Sequence, residues 1–126
     1  MKEIFTPKAP KPAGHYSQAI VHDNVVYVSG QLPIEPITGE KRLGSIEEQT
    51  EQVLKNLAEI IKTAGSDINK VIKTTVYISD IQLWDRVNNV YSKFFGQHRP
   101  ARAVVPTKDL HHGFNIEIEA IASLIK

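Results

Sequence analysis

The feature that most constrains the fold is a pair of amphipathic helical segments in a chain whose other apolar runs favour strands. Ser45 is followed three residues later by Glu48, a capping-box pattern that satisfies the free N–H groups at a helix start. Apolar residues then recur at helical spacing until Gly65, where the left-handed conformation of a helix end is easily adopted. This pattern predicts a helix over residues 46–64 with one buried face.

The second helix is predicted to start near Asp80 as its cap and to end at Gly96. Its apolar stripe comprises Trp84, Val87, Tyr91, Phe94 and Phe95. Two helices can cover only one face of a sheet. The remaining apolar residues therefore decide how many strands the sheet has and whether its other face is left uncovered.

Most other apolar runs favour strands. Residues 18–30 are predicted to form a hairpin, because two β-prone runs, 19–21 and 25–28, flank His22-Asp23-Asn24, which holds two good turn formers. Three further strands are predicted, at Val71–Ile78, Ala101–Val105 and Ile116–Ala122. The last run alternates strictly, which favours a strand, although its Glu, Ala and Ile content is also compatible with a helix.

Two more local expectations follow from proline and from alternation. Prolines at positions 7, 10 and 12 fix φ and exclude helix, so Thr6 to Gly14 is predicted to be an extended lead-in strand. Residues 31–44, with two prolines and two glycines, are predicted to be a loop. On the strand 71–78, alternation is expected to place four side chains on one side: Ile72, Thr74, Val76 and Ile78.

The resulting order, β-β-α-β-α-β-β, predicts a single α+β domain over residues 1–126 with both helices on one face of a mixed sheet. The opposite face is half apolar, with Lys73, Thr75 and Tyr77 on one strand and Glu117, Glu119 and Ile121 on another. An uncovered face of this kind favours burial against another subunit. An oligomer is therefore expected.

Composition and charge exclude several classes of function. The chain has no cysteine, which excludes disulfides, thiolate metal sites and a cysteine nucleophile. With 15 basic and 14 acidic side chains it lacks the positive excess typical of nucleic-acid binding. No apolar run follows Met1–Phe5 as in a signal peptide, and none is long enough to span a bilayer. A soluble cytoplasmic protein is expected.

Arg102 is the first candidate for chemistry, because it lies in the apolar run 100–105. Its planar guanidinium matches the two oxygens of a carboxylate. The alternative is a structural ion pair with Glu117 or Glu119. These two glutamates share a strand face and could divide acid and base roles, or simply line a polar or inter-subunit surface.

Other chemistry finds little support. His111 and His112 are adjacent, and no third ligand at metal-binding spacing accompanies them, so no metal site is expected. Ser17 and Ser29 lack the strand-to-helix motif of a serine nucleophile. No phosphate-binding glycine loop is present, because the glycines are isolated.

Five motifs, in order along nearly the whole chain, resemble the RidA/YjgF family. They are Gly14-His15-Tyr16-Ser17-Gln18-Ala19, Val28-Ser29-Gly30-Gln31-Leu32-Pro33, Lys73-Thr74-Thr75-Val76-Tyr77-Ile78, Pro100-Ala101-Arg102 and Ile116-Glu117-Ile118-Glu119-Ala120-Ile121-Ala122. The resemblance implies a chorismate-mutase-like fold that assembles as a homotrimer, with a central barrel of sheets and sites between subunits. It also implies cofactor-free hydrolysis of reactive enamines and imines, such as 2-aminoacrylate, 2-iminopropionate and 2-iminobutyrate, to 2-oxo acids and ammonia.

The same resemblance assigns roles to individual residues. Arg102 corresponds to the arginine that binds the substrate carboxylate, and Glu117 to the acid that positions the hydrolytic water. Tyr16, Ser29 with Gly30, and Asn88 correspond to residues that line the substrate pocket. Some relatives are described as endoribonucleases or translation inhibitors, so an RNA-directed role is the alternative, followed by a non-catalytic trimer that binds small carboxylates.

Three departures from the family pattern concern the pocket. His15 stands where many members have proline, and Val104 where many have cysteine. Leu110-His111-His112-Gly113 replaces the common Leu-Pro-Lys before the last strand. These changes are expected to affect the pocket mouth and the range of substrates.

Overall fold

A computed structural model describes residues 1–125, which form one six-stranded mixed sheet and two long helices. The strands are β1 (Lys2–Ile4), β2 (Ala19–His22), β3 (Val25–Gln31), β4 (Val71–Ile78), β5 (Ala101–Pro106) and β6 (Ile116–Ser123). The helices are α1 (Ile46–Thr63) and α2 (Trp84–Phe95). The predicted α+β class is confirmed, with one additional strand, β1, at the N-terminus.

The first helix forms as its local sequence predicts. The Ser45 side chain accepts a hydrogen bond from the backbone N–H of Glu48, and Gly65 follows the helix with φ of 95°. The buried face of α1 carries an apolar stripe, Val53, Leu54, Leu57, Ile60 and Ile61, beside four buried polar residues, Gln49, Thr50, Gln52 and Asn56. Removal of this stripe from water is the main stabilising contribution of the helix.

The second helix differs from its prediction at its start and along its stripe. Asp80 caps a short 3-10 turn, Ile81–Leu83, and that turn leads directly into α2. Val87, Tyr91 and Phe95 are buried in the core, whereas Trp84 remains 38% exposed. The predicted stripe therefore contains three core residues, and Trp84 lies at the edge of the core beside Arg102.

The sheet has the strand order β1-β2-β3-β6-β4-β5. All pairs are antiparallel except β4 with β5, in which Thr74 pairs with Arg102. The β2–β3 hairpin turns through Asp23 and Asn24, both with positive φ, which is typical of a two-residue turn between antiparallel strands. The segment Ile116–Ser123 is a strand in the centre of the sheet, so the helix alternative for it is wrong.

The prediction for Thr6 to Gly14 is also wrong. The segment is not a strand but a series of turns and bends, and the strand at the N-terminus is β1 instead. The segment is held by Gln18, whose buried side chain bonds the N–H of Thr6 and the carbonyls of Thr6, Ala9 and Pro10. Proline excludes helix here, but a distant glutamine determines the path of the chain.

Ile72 does not share a side with the other apolar residues of β4. The pairing with β6 shifts between Val71 and Lys73, because a β-bulge inserts one extra residue on β4. Ile72 is consequently 48% exposed, while Thr74, Val76 and Ile78 are buried as predicted. Within residues 1–125, no helix combines the length and the hydrophobicity needed to cross a membrane.

Candidate active site

Arg102 lies on β5 and extends its guanidinium towards α2. Its Nη1 donates to Oδ1 of Asn88 at 2.9 Å. The guanidinium carbon lies 4.8 Å from the ring centroid of Tyr91 and 5.5 Å from that of Trp84. An amide oxygen and two aromatic faces orient the arginine without neutralising its charge, so it remains able to bind an anion.

The aromatic support of Arg102 is itself anchored in the core. The hydroxyl groups of Tyr91 and Thr74 lie 2.6 Å apart, and both residues are buried. Burial raises the pKa of Tyr91, so the phenol remains neutral beside the arginine. A cavity of about 440 Å³ opens next to this group and is lined by Arg102, Asn88 and Tyr91 among others.

Glu117 lies on the opposite side of the sheet. It pairs with Tyr77 on β4, three residues beyond Thr74, which pairs with Arg102. Successive side chains alternate between the two faces of a strand, and therefore the side chains of Arg102 and Glu117 point to opposite faces. Within residues 1–125, no salt bridge joins Arg102 to Glu117 or Glu119, so the structural ion pair considered above is wrong for this chain.

The two glutamates on β6 have different environments. Oε1 of Glu119 accepts a hydrogen bond of 2.7 Å from the hydroxyl of Tyr77, and this bond is the main cause that raises the pKa of the tyrosine. Glu117 is half-buried, and burial raises the pKa of its carboxyl group. Of the pair, Glu117 is the better general base, because a carboxylate with a raised pKa binds a proton more strongly.

A β-bulge in β3 places Gly30 against Glu117. The pairing with β6 shifts between Val28 and Gln31, which inserts one extra residue at Ser29-Gly30. A Cβ at position 30 would lie 3.0 Å from Cδ of Glu117 and closer still to a carboxylate oxygen. Ser29 is occupied in holding the bulge, because its Oγ donates to the Ser17 carbonyl at 2.6 Å.

Gly30 and Tyr16 line a second cavity, of about 400 Å³, together with His111 and His112. Tyr16 is 51% exposed, and its hydroxyl accepts a 3.4 Å hydrogen bond from the N–H of Ala13. The structure therefore brings the candidate residues together in two groups, one around Arg102 and Asn88 and one around Tyr16, Gly30 and Glu117.

Two members of the Arg102 group were missed as site residues in the sequence. Trp84 and Tyr91 match an apolar helical stripe, which predicts core packing. The available signal was their spacing with Asn88, since residues i, i+4 and i+7 lie on one face of a helix. Among the described residues, no cluster of three or more His, Asp or Glu side chains could hold a metal ion.

The fold and these residues define a class: small α+β proteins with two helices on one face of a mixed sheet and, on its edge strand, an arginine held beside two aromatic rings. Residues 6–124 match the sequence profile of the endoribonuclease L-PSP family. The chain belongs to this family, which is also known as the RidA/YjgF family.

Two relatives illustrate the range of names within the family. A RutC family protein of Pyrococcus horikoshii is 50% identical over 123 residues, which cover 97% of this chain and 98% of the relative. The 2-iminobutanoate/2-iminopropanoate deaminase of Rattus norvegicus is 46% identical over 121 residues, which cover 96% of this chain and 88% of the deaminase.

Solved structures agree with this assignment. A Thermotoga maritima protein, named for a proposed endoribonuclease activity, superimposes with a TM-score of 0.96 at 48% sequence identity. The superposition covers 100% of this chain and 99% of the Thermotoga chain. E. coli TdcF, crystallised with bound serine, has a TM-score of 0.93 at 36% identity, with 98% of each chain covered.

Proposed function

We propose that the protein hydrolyses 2-imino acids and their enamine tautomers, of the 2-iminopropionate and 2-iminobutyrate type, to 2-oxo acids and ammonia. Support comes from relatives of about 45% identity that are named 2-iminobutanoate/2-iminopropanoate deaminase. Further support is the serine held by the related TdcF, since serine carries the α-carboxylate and α-nitrogen of such substrates.

Arg102 supplies the binding step of this proposal. A guanidinium presents parallel N–H donors that pair with both oxygens of a carboxylate. Asn88 occupies Nη1 from one side, and the rings of Trp84 and Tyr91 hold the guanidinium in place. The remaining donors can then hold the substrate carboxylate in one orientation, which fixes the position of C2.

Glu117 supplies the chemical step. Its carboxylate takes a proton from a water molecule as the water oxygen bonds to C2, and the imine nitrogen takes a proton from solvent to give a carbinolamine. The C2–N bond then breaks, Glu117 returns its proton to the departing nitrogen as ammonia forms, and the hydroxyl proton is lost to solvent. General base catalysis of this kind contributes about 10²–10⁴-fold, and it requires no cofactor.

The opposite orientation of Arg102 and Glu117 is the observation that carries the proposal of shared sites. One substrate molecule cannot contact both side chains of a single chain across the sheet. A site that uses both must therefore combine Arg102 of one subunit with Glu117 of the next, together with Tyr16 and Gly30 beside Glu117. A closed ring of three chains, with the half-apolar sheet faces inward, provides three such sites.

The test combines two inactive variants. Arg102→Ala and Glu117→Gln are each expected to abolish acceleration of imine loss, measured by trapping 2-iminopropionate produced by an amino-acid oxidase. When the two variants are mixed 1:1, unfolded and refolded together, random assembly of trimers restores about a quarter of the wild-type activity. Glu119→Gln, on the same strand and face, serves as the matched control and retains activity.

Each failure has a distinct meaning. A mixture as inactive as its components would contradict sites shared between chains. If the wild-type protein does not accelerate the loss of any imine tested, the deaminase function is contradicted and the non-catalytic carboxylate-binding trimer is favoured. Salt-sensitive cleavage of RNA by the same preparation would favour the endoribonuclease alternative.

A further inference from the structure

Arg99 brings a second positive charge to the cavity that contains Arg102. Both arginines line this cavity of about 440 Å³, together with Asn88 and Ser92. Within residues 1–125, no Asp or Glu side chain lines the cavity, and neither arginine has a salt-bridge partner. Arg99 stands immediately before the Pro100-Ala101-Arg102 motif, and the family resemblance assigns it no role. The cavity therefore holds one more positive charge than a single carboxylate requires.

The backbone around Arg99 is fixed by its two neighbours. Nε2 of His98 lies 2.7 Å from the carbonyl oxygen of Val71, and because a carbonyl only accepts, this nitrogen is the donor. The N–H of His98 also donates to the Phe95 carbonyl at 3.2 Å. On the other side, Pro100 disfavours helical backbone at Arg99 and leads into β5. The position of Arg99 is thus set, whereas the residue itself is exposed and accessible to a ligand.

Arg99 and Arg102 are near enough for one small molecule to contact both. The Cα atoms of two residues three apart are separated by at most about 10 Å, even in a fully extended chain. Both long side chains border the same cavity, so their guanidinium groups can approach a common ligand. Asn88 and the rings of Trp84 and Tyr91 hold Arg102 in place, and the exposed Arg99 is therefore the side chain that adapts to the ligand.

A second carboxylate is the group that best matches Arg99. When Arg102 holds the C1 carboxylate of an imino acid, the substituent on C2 can extend along the cavity to Arg99. A methyl group beside a guanidinium gains nothing from its charge and displaces part of its hydration. A carboxylate at the same position pairs with the planar donors in a charge-assisted hydrogen bond. The cavity therefore favours a substrate with a carboxylate at the end of its side chain.

We propose that Arg99 is a specificity-determining residue that binds the side-chain carboxylate of 2-imino dicarboxylic acids, of which 2-iminosuccinate is the four-carbon member. The catalytic consequence rests on the proposed deaminase function, whereas the binding of a dicarboxylate rests on the cavity alone. The hydrolysis follows the same steps at C2 and gives a 2-oxo dicarboxylic acid and ammonia, because the second carboxylate takes no part in them. Such imines arise when the amino group of an acidic amino acid is oxidised, so this class of reaction must supply the substrate.

The direct test measures binding without turnover. (S)-Malate and (S)-2-hydroxybutyrate share a four-carbon chain and a 2-hydroxyl group, and they differ only in the carboxylate or methyl group at C4. Calorimetric titration of the wild-type protein is expected to give a Kd for malate that is lower by about tenfold or more, as for one charge-assisted hydrogen bond. Arg99→Gln is expected to make the two Kd values nearly equal.

Lys93→Gln is the matched control for this loss. Lys93 is an exposed cation near the end of α2, and it lines a different cavity, between the two helices. The variant removes the same charge as Arg99→Gln and should retain the wild-type preference for malate. An equal loss of preference in both variants would show that only the overall charge matters, and it would overturn the role of Arg99.

A second measurement connects binding to the choice of substrate. The ratio of kcat/KM for 2-iminosuccinate to that for 2-iminobutyrate is measured by the same trapping assay, with the imines produced by oxidation of aspartate and 2-aminobutyrate. Arg99→Gln is expected to lower this ratio about tenfold, in line with the lost hydrogen bond. Arg99→Lys, which keeps the charge but not the planar pair of donors, should retain part of the preference.

The remaining outcomes separate this proposal from the proposed function. Equal affinity of the wild-type protein for malate and 2-hydroxybutyrate, or no binding of malate, would overturn the proposal. An unchanged preference in Arg99→Gln would assign the second carboxylate to another group and would overturn it as well. If the wild-type protein hydrolyses neither imine but binds malate more tightly through Arg99, the deaminase function is refuted and the dicarboxylate site stands.

Discussion

Gly30 leaves open the space that the carboxylate of Glu117 occupies. Its backbone does not require glycine, because no left-handed φ is found at this position. The requirement is one of contact, since any Cβ would overlap a carboxylate oxygen. The absence of a side chain at position 30 is thus part of the geometry of Glu117.

Gly30→Ala should therefore displace Glu117 without unfolding the protein. We expect imine hydrolysis to fall by about 10²-fold or more, within the range that a general base contributes. The melting temperature should change little, because the atoms that the added Cβ would meet are the far end of the flexible Glu117 side chain, which can move aside. The rate of imine hydrolysis and the melting temperature are measured on the same preparation of the variant.

A double-mutant cycle with Glu117→Ala checks the cause of this effect. When the carboxylate is absent, Gly30→Ala has no group to displace, so the effects of the two substitutions should be strongly non-additive. Additive losses would show that alanine acts through the bulge rather than through Glu117.

Asn88 should control how strongly Arg102 binds a carboxylate. In Asn88→Asp the Oδ1 acceptor gains a negative charge, which pairs with Arg102 and competes with the substrate. We expect KM for 2-iminobutyrate to rise about tenfold or more. Asn89→Asp, one residue along the same helix, is the matched control. An equal rise in KM for both variants would point to general charge repulsion instead.

The hydrogen bond between Tyr91 and Thr74 should stabilise the fold beneath Arg102. Tyr91→Phe leaves the buried Thr74 hydroxyl without its partner and should lower the free energy of unfolding by about 1–3 kcal/mol. Thr74→Val in the same background removes the unpaired group and should recover part of this loss. Urea denaturation measures the free energy of unfolding of each variant, and a double variant no more stable than Tyr91→Phe alone would contradict this expectation.

The ion pair between the two helices should be visible in a titration. The hydrogen bond from Arg86 lowers the pKa of Glu47 from 4.5 to about 2. Any stabilisation from this pair is therefore complete above pH 4.5 and is lost as the pH falls through 2. Both side chains are exposed, so added salt should weaken the effect.

Carboxyl NMR in the wild-type protein and Arg86→Gln tests this. The Glu47 midpoint should move from about 2 towards 4.5 in the variant. Arg42→Gln, which removes a looser contact of 3.6 Å with Glu40, is the control and should leave Glu47 unaffected. An unchanged midpoint in Arg86→Gln would show that the pair does not persist in solution.

The parts of the fold that could be predicted are those determined locally. The start of α1 depends on Ser45 and Glu48, three residues apart, and the β2–β3 turn depends on Asp23 and Asn24. The face of the sheet to which Ile72 points was not predictable, because it depends on a bulge in β4 where that strand pairs with β6. The path of residues 6–14 depends in the same way on distant Gln18.

The candidate site follows the same rule. Arg102 and Glu117 stood out as charged residues in apolar strands. Arg102 lines the cavity beside α2, and Glu117 lies against Gly30, which lines the second cavity. Their orientation to opposite faces was not evident, because it depends on how both strands pair with β4. The partner of Arg102 likewise comes from a helix 14 residues away.

The opposite orientation of Arg102 and Glu117 has a consequence for how the proposed activity depends on concentration. A lone chain would hold two half-sites that never meet, so catalysis would begin only when chains associate. Specific activity would then fall on dilution below the dissociation constant of the assembly, and every new chain would stay inert until it found its partners. Assembly would be the step that switches the enzyme on.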